Sequence, residues 1–401
     1  MAGSGGVAGS GGDAGSAGSA GSGGSGPCQG LALVEPVLEI VRPATHVDDV
    51  PLLTASSDDG EQLTVAFQRY EPAVAGGARQ VVHASLRPWQ SWPESDIETT
   101  FSTFKSVELD PTFAVGNGFT DRFAMLVSHG SLVDSFAPRV DPNASSAGPN
   151  LTLSTKGAPV FVARGSAGWH LVADSVGHIL MGHVIRLWDS NVEVTDVLLA
   201  CGGDAGAADA VAHGEGWLVA LGNEKTAPPT GCSAAANGPT RLDILFVDQA
   251  GGITPLHSLD AGAPITDISV APHPEGAHVT WRVMSGGAIA PIRWLRIDAA
   301  ASAIVGPADV SGPGDAPFGG FDAAAMGEHL AVVWRNDPAD NPPDLTLTVL
   351  DPQGIKLAQT AIEPPFTGRP SIAGAPAGES VVVAHQESGT TVKLLRFDCV
   401  P

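Results

Sequence analysis

The residues best suited to chemistry are three aspartates and a scattered set of cationic and aromatic side chains. Asp209, Asp267 and Asp322 each open a short apolar segment: D-A-V-A (209–212), D-I-S-V (267–270) and D-A-A-A (322–325). Carboxylate oxygens are hard ligands that suit Ca2+. A pair of carboxylates can also act as acid and base on a glycosidic bond. An aspartate at such a start equally caps a turn or binds backbone N–H groups. Arg282, Trp334, Arg335, His385 and Gln386 close the apolar segments that follow, and Arg369 opens another. A guanidinium fork beside an aromatic plane suits a sugar or a peptide carboxylate. The plainer reading packs the Trp in the core and leaves the arginines solvated or paired.

Histidines are less informative. His170, His278 and His329 recur two residues after a glycine, and His178/His183 and His273/His278 lie five apart. Turn packing explains the first set, the odd spacing of His178 and His183 would put them on opposite faces of a strand, and neither pair supports a metal site. No H-E-x-x-H, C-x-x-C, G-x-S-x-G, P-loop or EF-hand loop occurs. A formal G-x-G-x-x-G at Gly21, Gly23 and Gly26 lies within a Gly/Ser/Ala tract with no strand before it or helix after it.

These residues need elements to position them, and those elements repeat. An apolar strand, a turn ending in Gly and a second apolar strand recur with turn glycines at Gly60, Gly118, Gly168, Gly216, Gly276, Gly327 and Gly378. Their separations are 58, 50, 48, 60, 51 and 51 residues. A third strand follows, as in R-L-D-I-L-F-V-D (241–248), I-R-W-L-R-I-D (292–298) and L-T-L-T-V-L-D (345–351), and an Asp and Gly then turn the chain into a fourth. Propeller blades are units of roughly 40 to 50 residues built of four strands, and this repeat resembles them. The expected fold is therefore all-β: one seven-bladed β-propeller of four-stranded antiparallel blades over 28–401. The last unit lacks a fourth strand, so the spare strand G-L-A-L-V-E-P-V-L-E-I-V (30–41) is expected to complete it.

That closure would bring Cys28 to Cys399 as a disulfide. The remaining pair, Cys201 and Cys232, falls in two connections of one face. Disulfides imply an oxidising compartment. Gaps between strands enlarge the same face, at 222–240, 283–289, 310–319, 336–343 and 363–370, while long connections at 88–96 and 137–149 lie opposite. Sequons at Asn143 and Asn150 fall in the latter.

Composition sets the outer limits. With 20 Lys plus Arg against 43 Asp plus Glu, the formal charge of −23 repels nucleic acid and anionic membranes. No apolar run is long enough to span a bilayer. Residues 1–27 are almost entirely Gly, Ser and Ala, a flexible linker that resembles those of bacterial secreted proteins and lipoproteins. It lacks the basic start and apolar stretch of a signal, so any signal or anchor would precede Met1. The expectation is a monomeric, exported or cell-surface protein that binds a glycan, peptide or protein without catalysis. A polysaccharide hydrolase or lyase using Asp209, Asp267 or Asp322, with or without Ca2+, is the second reading, and a structural module of a surface complex the third.

Overall fold

A computed structural model of the chain describes residues 28–41, the strand backbones between 52 and 152 together with Trp92, and most of 158–400. From 158 onward it leaves out 166–168, 177–178, 189–190, 202–206, 224–239, 286–287, 313–314, 316, 337–343, 364–366, 376–377 and 389–390. Residues 1–27, Gly60, Gly118, Gly168, Cys232, Asn143, Asn150 and His178 therefore lie outside the described residues, as does much of the face expected to be enlarged.

Among the described residues the chain is all strand, in seven antiparallel sheets, each a four-stranded path from an inner to an outer strand. The fourth sheet is representative: Ala208–His213, Gly216–Asn223, Arg241–Asp248 and Ile253–Asp260. Its second strand is buried at every residue and its fourth at none. That gradient places the core between sheets and the solvent at the outer edges. The fifth sheet runs Ile265–His273, Gly276–Ser285, Arg293–Asp298 and Ala303–Asp309. A short extra strand, Ala288–Ile289, pairs back on Met284 and Ser285. The sixth runs Pro317–Met326, His329–Asn336, Asp344–Leu350 and Lys356–Ile362.

The seventh combines both ends of the chain: Thr367–Gly374, Ser380–Ser388, Thr391–Val400 and then Gly30–Val41. The inner strands of the first three sheets are Leu52–Ala55, Phe113–Asn117 and Ala158–Arg164. Each inner strand packs beside that of the next sheet, and the seventh beside the first, so the sheets form the cycle of a β-propeller.

Local sequence explains the repeat. The turns from third to fourth strand are closed by an aspartate whose Oδ1 accepts two backbone N–H bonds: Asp248 from Ala250 and Gly252, Asp298 from Ala300 and Ala301, Asp351 from Gln353 and Ile355. Between the sheets, large apolar side chains fill the wedge: Trp217, Trp281, Trp294, Trp334 and Phe321 are all fully buried. Towards the axis the strands come too close for such residues. A Cβ on Gly374 would lie 1.6 Å from the carbonyl oxygen of Ala325 on the neighbouring inner strand. Cys28 and Cys399 form a disulfide with Cα atoms 5.4 Å apart. Cys201 is also disulfide-bonded, while Cys232, its expected partner, is outside the described residues.

Candidate functional site

The first two strands of the fifth sheet and the inner strand of the seventh bring an aspartate and two arginines together. Asp267 and Arg282 are direct cross-strand partners in the fifth sheet, the position at which opposite charges meet. They form a hydrogen-bonded ion pair through Asp267 Oδ2 and Arg282 Nη2. Arg282 Nη1 also donates to the carbonyl of Pro317 in the sixth sheet, at 2.7 Å. Arg369 arrives from the seventh sheet. Its Nε and Nη2 donate to the Phe321 carbonyl at 3.0 and 2.6 Å, and its Nη1 reaches Asp267 Oδ1 at 3.4 Å. Room for the stem exists because residue 320 is glycine, with φ of +97°; a Cβ there would sit 2.9 Å from Arg369 Cδ. Side-chain exposure is 12% for Arg282, 13% for Asp267 and 36% for Arg369, so Arg369 is the open member.

Deeper along the same strands lies a polar girdle. In the hairpin ladders Asp209 pairs with Ala220, Ser269 with Thr280 and Asp322 with Val333, the same offset from each two-residue turn. Each of the three accepts a backbone N–H from the next inner strand. Asp209 takes Val270 N at 2.7 Å, Ser269 Oγ takes Ala323 N at 3.1 Å, and Asp322 takes Ile372 N at 3.0 Å. Ser269 Oγ donates to Asp322 Oδ1 and Ser371 Oγ to Asp322 Oδ2, at 3.1 and 2.7 Å. The expectation that Asp267 is equivalent to Asp209 and Asp322 is thus corrected. Asp267 stands six residues before the last paired residue of its inner strand and Asp209 and Asp322 only four, so Asp267 lies two residues nearer the mouth and Ser269 takes the equivalent place.

The three carboxylates do not converge as a Ca2+ site. Asp267 is held by two guanidiniums and the other two by backbone donors, and among the described residues no group of His, Cys, Asp or Glu is arranged to hold a metal. Enclosure by protein pushes the Asp209 carboxyl up to about 7. The N–H bonds from Val270 and Ala210 and the charge of Arg369 oppose that rise, whereas the Asp322 charge adds to it.

The remaining expected site residues are placed elsewhere. Trp334 is fully buried between the fifth and sixth sheets among Ala271, Trp294, Val310 and Phe321, and is no platform for a ligand. His385 and Gln386 are buried as well, and burial holds the His385 imidazole down to about 4, hence neutral. Arg335 is half-buried. Of the recurring histidines, His278 is buried, its Nδ1 accepting the Trp294 indole N–H at 3.1 Å and its ring set edge-on to His273 at 5.0 Å. Burial, then the His273 ring, holds it down to about 3. His170 is buried and His329 half-buried.

One polar cluster was not singled out from sequence. His183 is fully buried, with Nδ1 2.7 Å from Asp196 and Nε2 3.2 Å from Asp174. Burial lowers its pKa, but the hydrogen bonds and charges of Asp174 and Asp196 outweigh that effect and raise it. Asp174, His183 and Asp196 sit on three successive strands, so only the pairing register reveals the group.

No protein-family model matches the chain, and no curated protein matches it. Solved structures do. The β-propeller domain of Myceliophteria thermophila Cps50 (Swd1) is 11% identical, with 91% of this chain and 100% of that one covered and a TM-score of 0.47. The fucose-recognising lectin of Aleuria aurantia, a six-bladed β-propeller, is 10% identical over 78% of this chain and 99% of that one, at 0.46. A protein from Lactobacillus plantarum is 13% identical over 81% and 92%, at 0.48.

Proposed function

We propose that the chain is an exported, surface-tethered binding module: a seven-bladed propeller, its last blade completed by the N-terminal strand, that holds a glycan or peptide at the mouth of the ring without chemical change. The observation that carries this reading is the convergence of Asp267 and Arg282 from the fifth sheet and Arg369 from the seventh onto one rim position, with Arg369 open to solvent. A guanidinium oriented by two bonds to a carbonyl and one to a carboxylate is preorganised, and keeps donors for a sugar hydroxyl or a carboxylate. Two further facts support export. The Cys28–Cys399 disulfide and the bonded Cys201 fit an oxidising compartment, and the Gly/Ser/Ala tract suits a tether.

The polysaccharide-cleaving alternative has less support, because both oxygens of Asp209 and of Asp322 are engaged and Asp267 is ion-paired. The test is a glycan and peptide array probed with the protein and with Arg369→Lys, which keeps the charge and loses the planar fork. Retained ligands should lose at least tenfold in affinity with the variant. Equal binding by the two would remove this site.

A further inference from the structure

The N-terminal strand is attached in two halves. Gly30–Val34 pairs with Arg396–Val400, Leu38–Val41 pairs with Thr391–Leu394, and the register shifts between Val34 and Leu38. The second half and the shift are held from outside. The Trp92 indole N–H lies 2.9 Å from the Pro36 carbonyl and 3.1 Å from that of Val34, and Lys393 Nζ is 3.6 Å from Glu39. The first half has little apolar hold. None of residues 30–34 is buried, Ala32 and Leu33 are exposed, and only Leu31 packs in part against the core below. Besides its ladder and the Trp92 contact at its far end, Val34, this half depends on the disulfide at its start and on Gln29 N donating to the Val400 carbonyl at 2.8 Å.

We propose that Cys28–Cys399 is a redox-sensitive clasp for the first half alone. A small dithiol reduces it by exchange. One thiolate attacks a cystine sulfur and breaks the S–S bond, the second thiol resolves the mixed disulfide, and two electrons and two protons pass to Cys28 and Cys399 while the dithiol becomes a disulfide. Residues 30–34 then fray and bare the edge of 396–400, because five ladder residues without burial hold weakly once the covalent link that fixed their effective concentration is gone. Leu38–Val41 stays docked through its own ladder and the Lys393–Glu39 pair, beyond the shift that Trp92 holds at Val34 and Pro36.

Amide hydrogen exchange followed by mass spectrometry tests this on the full chain, oxidised and dithiol-treated, and on Cys28→Ser/Cys399→Ser, which leaves the Cys201 bridge intact. Both reduced and double-variant protein should exchange 30–34 and 396–400 at least tenfold faster, with 38–41 and the inner strands unchanged. Adding Trp92→Phe should extend the acceleration to 38–41. Unchanged exchange in 30–34, release of 30–41 as one unit, or loss of protection throughout the ring in the dithiol-treated protein would each overturn the proposal.

Discussion

Asp209 shows how a single residue can be structural and still titrate near neutrality. The unfolded chain loses this proton near 3.8 and the folded chain near 7. The folded state therefore binds more protons between those values, and stability falls as pH rises through them, by at most about 4 kcal/mol. Urea midpoints measured from pH 4 to 8 should decline for the native protein, and Asp209→Asn should flatten the decline. His183 has the same sign of linkage, in a higher pH window. With its folded pKa raised, its contribution is complete below its unfolded value of 6.5 and lost as pH rises through the folded one. Asp174→Asn should then cost about 3 kcal/mol at pH 6 and less at pH 9, as read by urea unfolding at both. Residue types alone pointed to Arg282, Arg369 and Asp267, but their mutual pairing depends on side chains a hundred residues apart in sequence meeting over a glycine. The same information could not separate Trp334 and His385 from the surface, since a Trp or His at a strand end is compatible with either face.

At the scale of elements, the hairpins were legible because a turn with Gly between apolar strands is a local signal. Gly216, Gly276 and Gly327 all lie at the tight turns joining first and second strands. The exact ends of the hairpins were not legible, and they decided the site: Asp267 lies six residues before the last pair of its hairpin and Asp209 and Asp322 four, which takes one aspartate out of the girdle and into the arginine cluster. Close approach of inner strands was equally silent in the sequence, where Gly374 reads as one small residue among many. Gly374→Ala should lower stability by about 3 kcal/mol, because its Cβ meets the Ala325 carbonyl and neither backbone can retreat. Thermal unfolding checks this; a shift smaller than 2 °C would mean that the strands separate more easily than their packing implies.

The whole molecule is held together by its two ends. The Cys28–Cys399 pairing was readable from a missing fourth strand at one end and a spare one at the other, a topological deduction that needs no side-chain detail. Although 371 residues separate the two cysteines and the loop-entropy model allows roughly 5 to 6 kcal/mol, the Leu38–Val41 ladder still closes the ring without the bridge, so Cys28→Ser/Cys399→Ser should lower the denaturation midpoint only slightly. Ligand identity was not readable at any scale, since the residues that would recognise it are brought together from two sheets about a hundred residues apart in sequence and share no motif. The most direct measurement is a crystal structure of the protein bound to the tightest ligand retained from an array. The ligand should accept hydrogen bonds from Arg369 and lie over the Arg282–Asp267 pair at the ring's mouth. A ligand seated on the outer strands, with both arginines still bonded only to Asp267, Pro317 and Phe321, would contradict the assignment.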